Sequence, residues 1–229
     1  AAPMQPAGAA PTLTDIRWDI LPPDGDGGDE PRLRIRSAGS NSTLALDGSR
    51  PEVEPAKRAL SGAAGAVAFR IAHQAGTLAC TGRLATRNDG DGECRFASNP
   101  TFERALSDRG LSPEGPSDLL AMLLVDATTD LADGLTRAGL RPDDSGDLIA
   151  AAALHVTPAY VRGLKRAPMK LGSIDDALAC RALGVDPAYV RELAAAGYDD
   201  LSAEDIVAMK ALDVTGDYAR RMNEAGARR

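Results

Sequence analysis

Aromatic residues are scarce in this chain. Its 229 residues include one Trp, four Tyr and three Phe, although 44 % of the residues are hydrophobic. Because much of that hydrophobic content is Ala, the cores must be built mainly from Ala, Leu and Val.

Histidine is rarer still, and only His73 and His155 are present. A zinc site needs several His, Cys or carboxylate ligands close together, and a cysteine nucleophile needs a base such as histidine. P-loop, dinucleotide-binding and nucleophile-elbow motifs are also absent from the sequence. We therefore predict a protein that is not an enzyme, with no catalytic residue, no metal and no cofactor. A hydrolase with an unrecognised site is an alternative.

Two acidic, glycine-rich segments, Asp24–Glu30 and Asn88–Glu93, resemble calcium loops at first sight. Carboxylates two residues apart on a flexible turn can converge on Ca²⁺. Counting twelve positions from Asp24 or Asp89 leads to Ile35 or Pro100, where an EF-hand needs a bidentate Glu. We interpret both segments as solvated turns.

An excess of basic charge is missing as well. The chain has 26 basic and 33 acidic residues, which gives a net charge of −7. Binding to nucleic acids or to anionic membrane surfaces requires basic clusters. No apolar run approaches the roughly 18 residues of a membrane-spanning helix. We expect no nucleic-acid partner and no membrane insertion in this segment.

A fourfold repeat with a period of 29 residues is the most informative feature that is present. The four repeats open at Asp118, Asp147, Asp176 and Asp205. A fixed period in this range is typical of helical repeat proteins, whose stacked helix pairs are scaffolds for contacts. The repeat therefore favours binding over catalysis.

Each repeat has the start and stop signals of two short helices. Ser173–Asp176 and Ser202–Asp205 resemble capping boxes in which Asp replaces Glu. A polar cap opens each second helix, and Pro follows it in the two central repeats. The caps of the second helices are Thr128, Thr157, Asp186 and Thr215. We interpret the four repeated Asp residues as structural caps.

Two further rows of residues recur in the second helices. The tyrosine row consists of Tyr160, Tyr189 and Tyr218, and the arginine row consists of Arg162, Arg191 and Arg220. Each Tyr precedes an apolar residue by four positions, which indicates core packing; an aromatic binding strip is the alternative. Each Arg lies two positions further on and should face solvent. We predict that the arginine row binds an acidic partner, with ordinary solvated charges as the alternative.

Residues 14–97 show the alternation of a half-buried antiparallel sheet. Ile16, Trp18 and Ile20 share one face, and further alternating runs complete a meander. Cys80 and Cys94 flank turn residues centred on position 87, so we predict a cross-strand disulfide, as fits an oxidising compartment. Two reduced cysteines on one face are the alternative. We interpret Cys180 as a small buried residue.

The predicted fold class is α+β: a small antiparallel β-sheet domain followed by four 29-residue helix-turn-helix repeats that form a short α-solenoid. Residues 1–13 are predicted to be a flexible tether, 14–112 a β-rich domain with a terminal helix, and 113–229 the repeat domain. The Ala/Pro-rich start resembles the stretch that follows a removed signal or membrane anchor. An unstructured chain end is the alternative.

The amino-acid sequence of the repeats resembles a known bacterial pattern. Val156–Leu164 reads Val-Thr-Pro-Ala-Tyr-Val-Arg-Gly-Leu, Val185–Leu193 echoes it, and Ala195–Lys210 continues it. These segments are similar to helical repeats in the extracytoplasmic parts of BlaR1-like M56-family membrane regulators and of some anti-sigma-factor-like proteins. The segment Phe69–Gly110 is similar to the β segment that often precedes those repeats. The metallopeptidase motif of that family lies in a separate membrane domain, and no His-Glu-x-x-His appears here, so no peptidase residue is carried over.

The sequence therefore predicts a non-catalytic, extracytoplasmic sensing or protein-interaction module of a bacterial regulatory system, with a protein as its partner. The expected location is periplasmic or otherwise extracytoplasmic, with a tether to the membrane through an upstream segment as one arrangement. The sequence leaves the oligomeric state open. The alternative function is a receptor for a small molecule or peptide, bound in a cleft between the sheet and the helical repeats.

Overall fold

The computed structural model describes residues 12–23 and 30–226. Within these ranges the chain is an α+β protein with a six-stranded antiparallel sheet and ten α-helices. The residues divide into two compact domains. The sheet domain comprises the described residues up to Asp108 and Pro113–Asp126, and the helical domain comprises Arg109–Ser112 and the residues from Ala127 onward. Positions 1–11 of the predicted tether lie outside the described residues, and Thr12 and Leu13 belong to the first strand.

Six strands form the sheet. In β1 the side chains of Ile16, Trp18 and Ile20 are buried on one face, which confirms the predicted alternation. The strands are β1 (Thr12–Leu21), β2 (Arg32–Ser37), β3 (Ser40–Ala45), β4 (Gly65–His73), β5 (Gly76–Thr86) and β6 (Asp89–Ser98).

The order of the strands is β3-β2-β1-β6-β5-β4. The single meander expected from the sequence is wrong, because it would place β3 beside β4. Instead, β1 pairs with β6, and β3 and β4 form the two edges. The sheet thus consists of two three-stranded meanders joined by one long-range pairing.

The indole ring of Trp18 lies over two glycines that are paired with each other on β5 and β6. Gly82 is paired with Gly92, which is itself paired with Trp18. A Cβ atom at Gly92 would lie 2.6 Å from Trp18 Nε1 and 2.1 Å from the carbonyl oxygen of Thr81. That carbonyl accepts the indole N–H of Trp18 at 3.1 Å. The glycines are therefore required for the largest side chain of the core to lie flat on the sheet.

The sheet domain contains two short helices, and the second of them is the predicted terminal helix. A short 3₁₀ turn at Pro51–Val53 leads into α1 (Glu54–Leu60), between β3 and β4. Asn99 caps α2 (Pro100–Ser107) by accepting the Thr101 N–H at 3.1 Å. Pro at the first helical position and Asn at the cap explain this start.

A third helix, α3 (Pro116–Val125), lies against β1, β3, β5 and β6. The sequence assigned it to the first repeat, beyond a boundary between residues 112 and 113. In the structure it belongs to the sheet domain, which extends to Asp126. The reason is its composition, because apolar residues cover most of its circumference and a helix of that kind is buried. The buried side chains are Leu119, Leu120, Met122, Leu123 and Leu124.

Seven short helices make up the helical domain. They are α4 (Thr129–Arg137), α5 (Ser145–Ala153), α6 (Pro158–Lys165), α7 (Ile174–Ala182), α8 (Pro187–Ala195), α9 (Ala203–Ala211) and α10 (Gly216–Gly226). Two-residue strands, β7 (Met169–Lys170) and β8 (Leu201–Ser202), pair in parallel. The even-numbered helices α4, α6, α8 and α10 contact one another in succession, and so do α5, α7 and α9.

Side-chain caps fix the starts of these helices, as predicted. Thr157 accepts the Tyr160 N–H at 3.1 Å, and Asp186 accepts the Tyr189 N–H at 2.8 Å. Complete capping boxes are present at Ser173–Asp176 and Ser202–Asp205. Each of the four repeated Asp residues accepts a hydrogen bond from a backbone N–H at the start of its own helix. The repeated Asp residues are therefore helix caps.

Glycine allows the even-numbered helices to approach closely. A Cβ atom at Gly134 would lie 2.6 Å from Pro158 Cγ, and one at Gly163 would lie 2.9 Å from Pro187 Cγ, 29 residues further on. At the next equivalent contact the glycine is on the other helix of the pair, where Gly216 of α10 lies against the backbone and Cβ of Glu192 on α8. One small partner per contact is thus retained at all three positions.

Candidate functional site

The predicted partner-binding arginines occupy the same position in three successive helices. Arg162 lies on α6, Arg191 on α8 and Arg220 on α10, and all three are exposed. The residue before each arginine is buried, which directs the arginine toward solvent. Since α6 contacts α8 and α8 contacts α10, the arginine row follows the layer of even-numbered helices.

The members of the arginine row differ in their partners. Arg220 forms an ion pair with Asp217, whereas no ion pair with Arg162 or Arg191 is found within residues 12–23 and 30–226. In the first repeat the equivalent residue is Asp133, which accepts two hydrogen bonds from Arg109 at 2.7 and 2.8 Å. That contact lowers the pKa of the Asp133 carboxyl.

An exposed guanidinium can bind a carboxylate in bidentate geometry. At Arg162 and Arg191, such binding would require no internal ion pair to be broken. At Arg220 an incoming carboxylate would compete with Asp217. The surface is therefore suited to an acidic partner, most directly at its first two arginines.

The tyrosine row is structural in two of its three members. Tyr160 Oη donates a hydrogen bond to the carbonyl oxygen of Val185, and Tyr189 Oη donates one to that of Val214, each at 2.7 Å. Burial raises the pKa of both phenols, which keeps the donor protons in place. Tyr218 is exposed. The row therefore connects one repeat to the next, and core packing describes its first two members.

Cys80 and Cys94 form the predicted disulfide. They are paired residues on β5 and β6, and their Cα atoms are 4.0 Å apart. The hairpin turn consists of Arg87 and Asn88, because Thr86 pairs with Asp89. A disulfide is compatible with an extracytoplasmic location.

Cys180 is the third cysteine, and it is buried in α7 without a disulfide. Burial, with a smaller contribution from Asp176, raises the pKa of its thiol to about 11. Since the thiolate is the reactive species, this cysteine is a packing residue at neutral pH.

A charged cluster that no local sequence pattern indicates holds the end of α3 in the sheet domain. Arg50 donates hydrogen bonds to the carbonyl oxygens of Leu123 and Leu124, each at 2.8 Å, and to Glu52 Oε1 at 2.8 Å. These carbonyls belong to the last turn of the helix, where no intrahelical donor remains. Burial opposes ionisation of Glu52, but hydrogen bonds from its own backbone and from Arg50 outweigh it, so its pKa is lowered.

His73 belongs to the same cluster. Its Nδ1 accepts the Ala75 N–H at 3.1 Å, so Nε2 carries the proton and donates to Asp126 Oδ1 at 3.1 Å. Burial is the main cause of the lowered pKa of His73, and Arg50 adds to it, although Asp126 and Glu52 act in the opposite direction. Both ring nitrogens are engaged, so the imidazole has no nitrogen with which to act as a base. His73 is the last residue of β4 and Arg50 precedes the 3₁₀ turn, and no local sequence pattern links these two residues.

Metal ligands do not converge anywhere in the part of the chain that the structure describes. His73 lies in the sheet domain, and His155 is an exposed residue of the helical domain. The segment Asn88–Glu93 forms a hairpin turn and the start of β6. Positions 24–29 of the other acidic segment lie outside the described residues.

A depression of about 440 Å³ lies on the exposed face of the sheet. It adjoins a bulge in β1, where Asp15 has a φ of +61°. Charges of both signs line it, including Arg17, Glu93 and Arg95, and Arg17 Nη2 is 3.8 Å from Glu93 Oε1. Small-molecule sites are usually concave and mostly apolar, and this polar surface lacks that character.

The fold is thus an α+β arrangement with an arginine row on one helical layer and a structural His–Arg–carboxylate cluster at the C-terminal end of α3. No family model, curated protein or solved structure matches the chain. Every helix within residues 12–23 and 30–226 is too short or too polar to cross a membrane.

Proposed function

We propose that this protein is a non-catalytic protein-interaction module that binds an acidic partner through Arg162, Arg191 and Arg220. In this proposal the helices form a short α-solenoid of four 29-residue repeats, and the first repeat contributes only α4 to the helical domain. Stacked repeats present equivalent residues at regular intervals along one surface, which is how three separate helices would offer one extended cationic site.

The observation that carries this proposal is the recurrence of contacts between helices at equivalent positions. The hydrogen bonds from Tyr160 to Val185 and from Tyr189 to Val214 are 29 residues apart and have the same length. The contact of Gly163 with Pro187 repeats that of Gly134 with Pro158. Recurring contacts of this kind support a fixed spacing between successive arginines.

The proposed setting is the extracytoplasmic sensing region of a bacterial regulatory system. The Cys80–Cys94 disulfide supports an oxidising compartment. The resemblance of the repeats to those of BlaR1-like M56-family regulators and anti-sigma-factor-like proteins supports a regulatory role. Binding, rather than a chemical step, would carry the signal.

The experiment compares capture of proteins from an envelope extract by three forms of the purified full chain. They are the wild type, the variant in which Arg162, Arg191 and Arg220 are changed to Ala, and a control variant in which Arg70, Arg83 and Arg95 are changed to Ala. The control arginines are exposed on the sheet, so both variants lose the same charge.

A partner that binds the wild type and the control variant, but not the variant of the arginine row, supports the proposal. Its binding should weaken as salt is added, because exposed charge pairs are screened. Equal binding to both variants would exclude the arginine row as the site. Loss of binding in the control variant alone would instead place the binding site in the sheet domain.

A further inference from the structure

Strand β4 forms one edge of the sheet and is regular along its whole length. Its pairing with β5 runs from Gly65 to His73 without a shift in register. Edge strands of natural proteins are usually short, or carry a bulge, a proline or several charges that prevent pairing with another chain. The other edge strand, β3, has six residues. β4 has nine residues, no proline and a single arginine, Arg70, so it lacks the usual protection.

Alternate residues of β4 point their backbone N–H and C=O groups away from β5. In antiparallel strands, pairs that exchange hydrogen bonds alternate with closer pairs that do not. Cys80 and Cys94 are a close pair, with Cα atoms 4.0 Å apart, so the backbone groups of Cys80 point toward β4. There its partner is Phe69, which is therefore bonded to β5, while the residues on either side of Phe69 point outward. We call the outward-pointing residues the edge residues; they are Ala66, Ala68, Arg70 and Ala72.

The backbone groups of the edge residues are open to a further strand. Within residues 12–23 and 30–226, none of these N–H and C=O groups makes a hydrogen bond outside the sheet ladder. The side chains of all four edge residues are exposed, so another chain can approach them. A row of alternating donors and acceptors is a template for the backbone of a second strand. The chemistry of this edge therefore specifies an extended polypeptide as its occupant.

We infer that the occupant is β4 of a second copy of this chain, paired antiparallel in a two-fold symmetric dimer. The register that pairs every edge residue places Ala66 opposite the partner's Ala72, and Ala68 opposite the partner's Arg70. This register is symmetric about Phe69, as a two-fold interface requires. The two six-stranded sheets then join into one continuous sheet, and the interface closes after two copies.

The side chains of β4 are complementary to those of a second β4 in this register. On the buried face, Val67 lies opposite the partner's Ile71 and Phe69 opposite the partner's Phe69, and such cross-strand pairs stabilise sheets. Val67 is only half-buried, so the second strand would cover it further.

On the exposed face, the charge of Arg70 selects this register. Here each Arg70 lies opposite an alanine. In the next symmetric register, centred on residue 70, the two Arg70 side chains would lie directly opposite each other, which is destabilising. β4 therefore supplies the apolar and small residues that its own edge accommodates, and this match favours a second copy over an unrelated strand.

The test is the molar mass of the full chain in solution, measured by sedimentation equilibrium across a range of concentrations. The wild type should be a dimer in equilibrium with monomer. Ala68→Pro removes an outward N–H, which an edge strand tolerates, and should weaken the dimer by at least about tenfold because the hydrogen bond is lost twice. Thr43→Pro on β3 is the matched control. The pair Ser37–Ser40 closes the hairpin of β2 and β3, so alternation from there makes the N–H of Thr43 point outward at the other edge.

Two further variants test the register and leave the backbone unchanged. Ala68→Glu places a carboxylate opposite the partner's Arg70 at two symmetric sites, and it should tighten the dimer by at least about twofold. Ala68→Arg places like charges there and should weaken the dimer by a similar factor. Circular dichroism checks that all variants are folded.

A wild type that stays monomeric up to about 100 μM would overturn the inference. So would a dimer that a folded Ala68→Pro variant leaves intact, or one that Thr43→Pro weakens as much. If Ala68→Pro does not fold, the charge variants decide, and effects of the same sign from Glu and Arg would contradict the pairing of Ala68 with Arg70. The arginine row is unchanged in all of these variants, so this result is independent of partner binding.

Discussion

The contact between Gly163 on α6 and Pro187 on α8 allows a direct test of how the helices pack. We consider Gly163→Ala, Pro187→Gly and the double variant. An added Cβ at Gly163 would lie 2.9 Å from Pro187 Cγ, whereas ordinary contacts are 3.4–4 Å. The rigid ring must therefore move by about 0.5 Å in a closely packed interior.

Two effects of opposite sign determine how far Gly163→Ala changes the free energy of unfolding. Overpacking of this kind costs about 1–3 kcal/mol, and Ala is favoured over Gly inside a helix by about 1 kcal/mol. Gly163→Ala alone should therefore lower the free energy of unfolding by about 0–2 kcal/mol. When Pro187 is Gly, the same change should raise it by about 1 kcal/mol, because only the helix preference remains. The coupling energy of the pair is then about 1–3 kcal/mol.

Urea unfolding followed by circular dichroism at a helical wavelength measures these free energies. Trp18 is the only tryptophan and lies in the sheet, so its fluorescence reports the sheet domain separately and should not change. Gly146→Ala on α5 is the matched control, because its added Cβ would meet only the side chain of Asp144. A coupling energy near zero for Gly163 and Pro187 would refute the packing of α6 on α8.

Three further predictions concern the sheet domain, and Trp18 fluorescence measures each. Gly92→Ala should destabilise it by about 3 kcal/mol, because the new Cβ would lie 2.1 Å from a backbone carbonyl oxygen; an unchanged midpoint would contradict this packing. Reducing the Cys80–Cys94 bond, which spans a sequence separation of 14, should cost about 3 kcal/mol. The variant with both cysteines changed to Ala should be insensitive to reductant, and a wild type that is equally insensitive would count against the bond. The folded-state pKa of His73 is below its ordinary value of 6.5, so the unfolded chain binds its proton more readily. The contribution of neutral His73 to stability should be complete above about pH 6.5 and be lost as the pH falls below it. His73→Gln should flatten this part of the profile, and an identical pH profile in wild type and variant would show that His73 is not responsible.

Features encoded over a few residues could be predicted from the sequence. The capping boxes at Ser173 and Ser202 lie within four residues of their partners, and the structure contains both. The Cys80–Cys94 pairing could be predicted because a single tight turn sets the register of its hairpin. Alternating burial of Ile16 and Trp18 follows from the period of a strand.

Features that depend on contacts between distant residues could not be predicted. The pairing of β1 with β6 joins the first and last strands of the sheet, and no local pattern favours it over a meander. The leucines of α3 indicate burial but not the surface that buries them. No sequence pattern points to the role of Arg50, because its acceptors, the carbonyls of Leu123 and Leu124, lie more than 70 positions away and belong to the backbone.

In the proposed function, the arginine row of the helical domain binds an acidic partner. The most direct test is the dissociation constant of the captured partner, measured by calorimetry at two salt concentrations for the wild type and for the variant with Arg162, Arg191 and Arg220 changed to Ala. We predict binding to the wild type that weakens with salt, and at least about tenfold weaker binding to the variant. Equal dissociation constants for the two proteins at both salt concentrations would contradict the account.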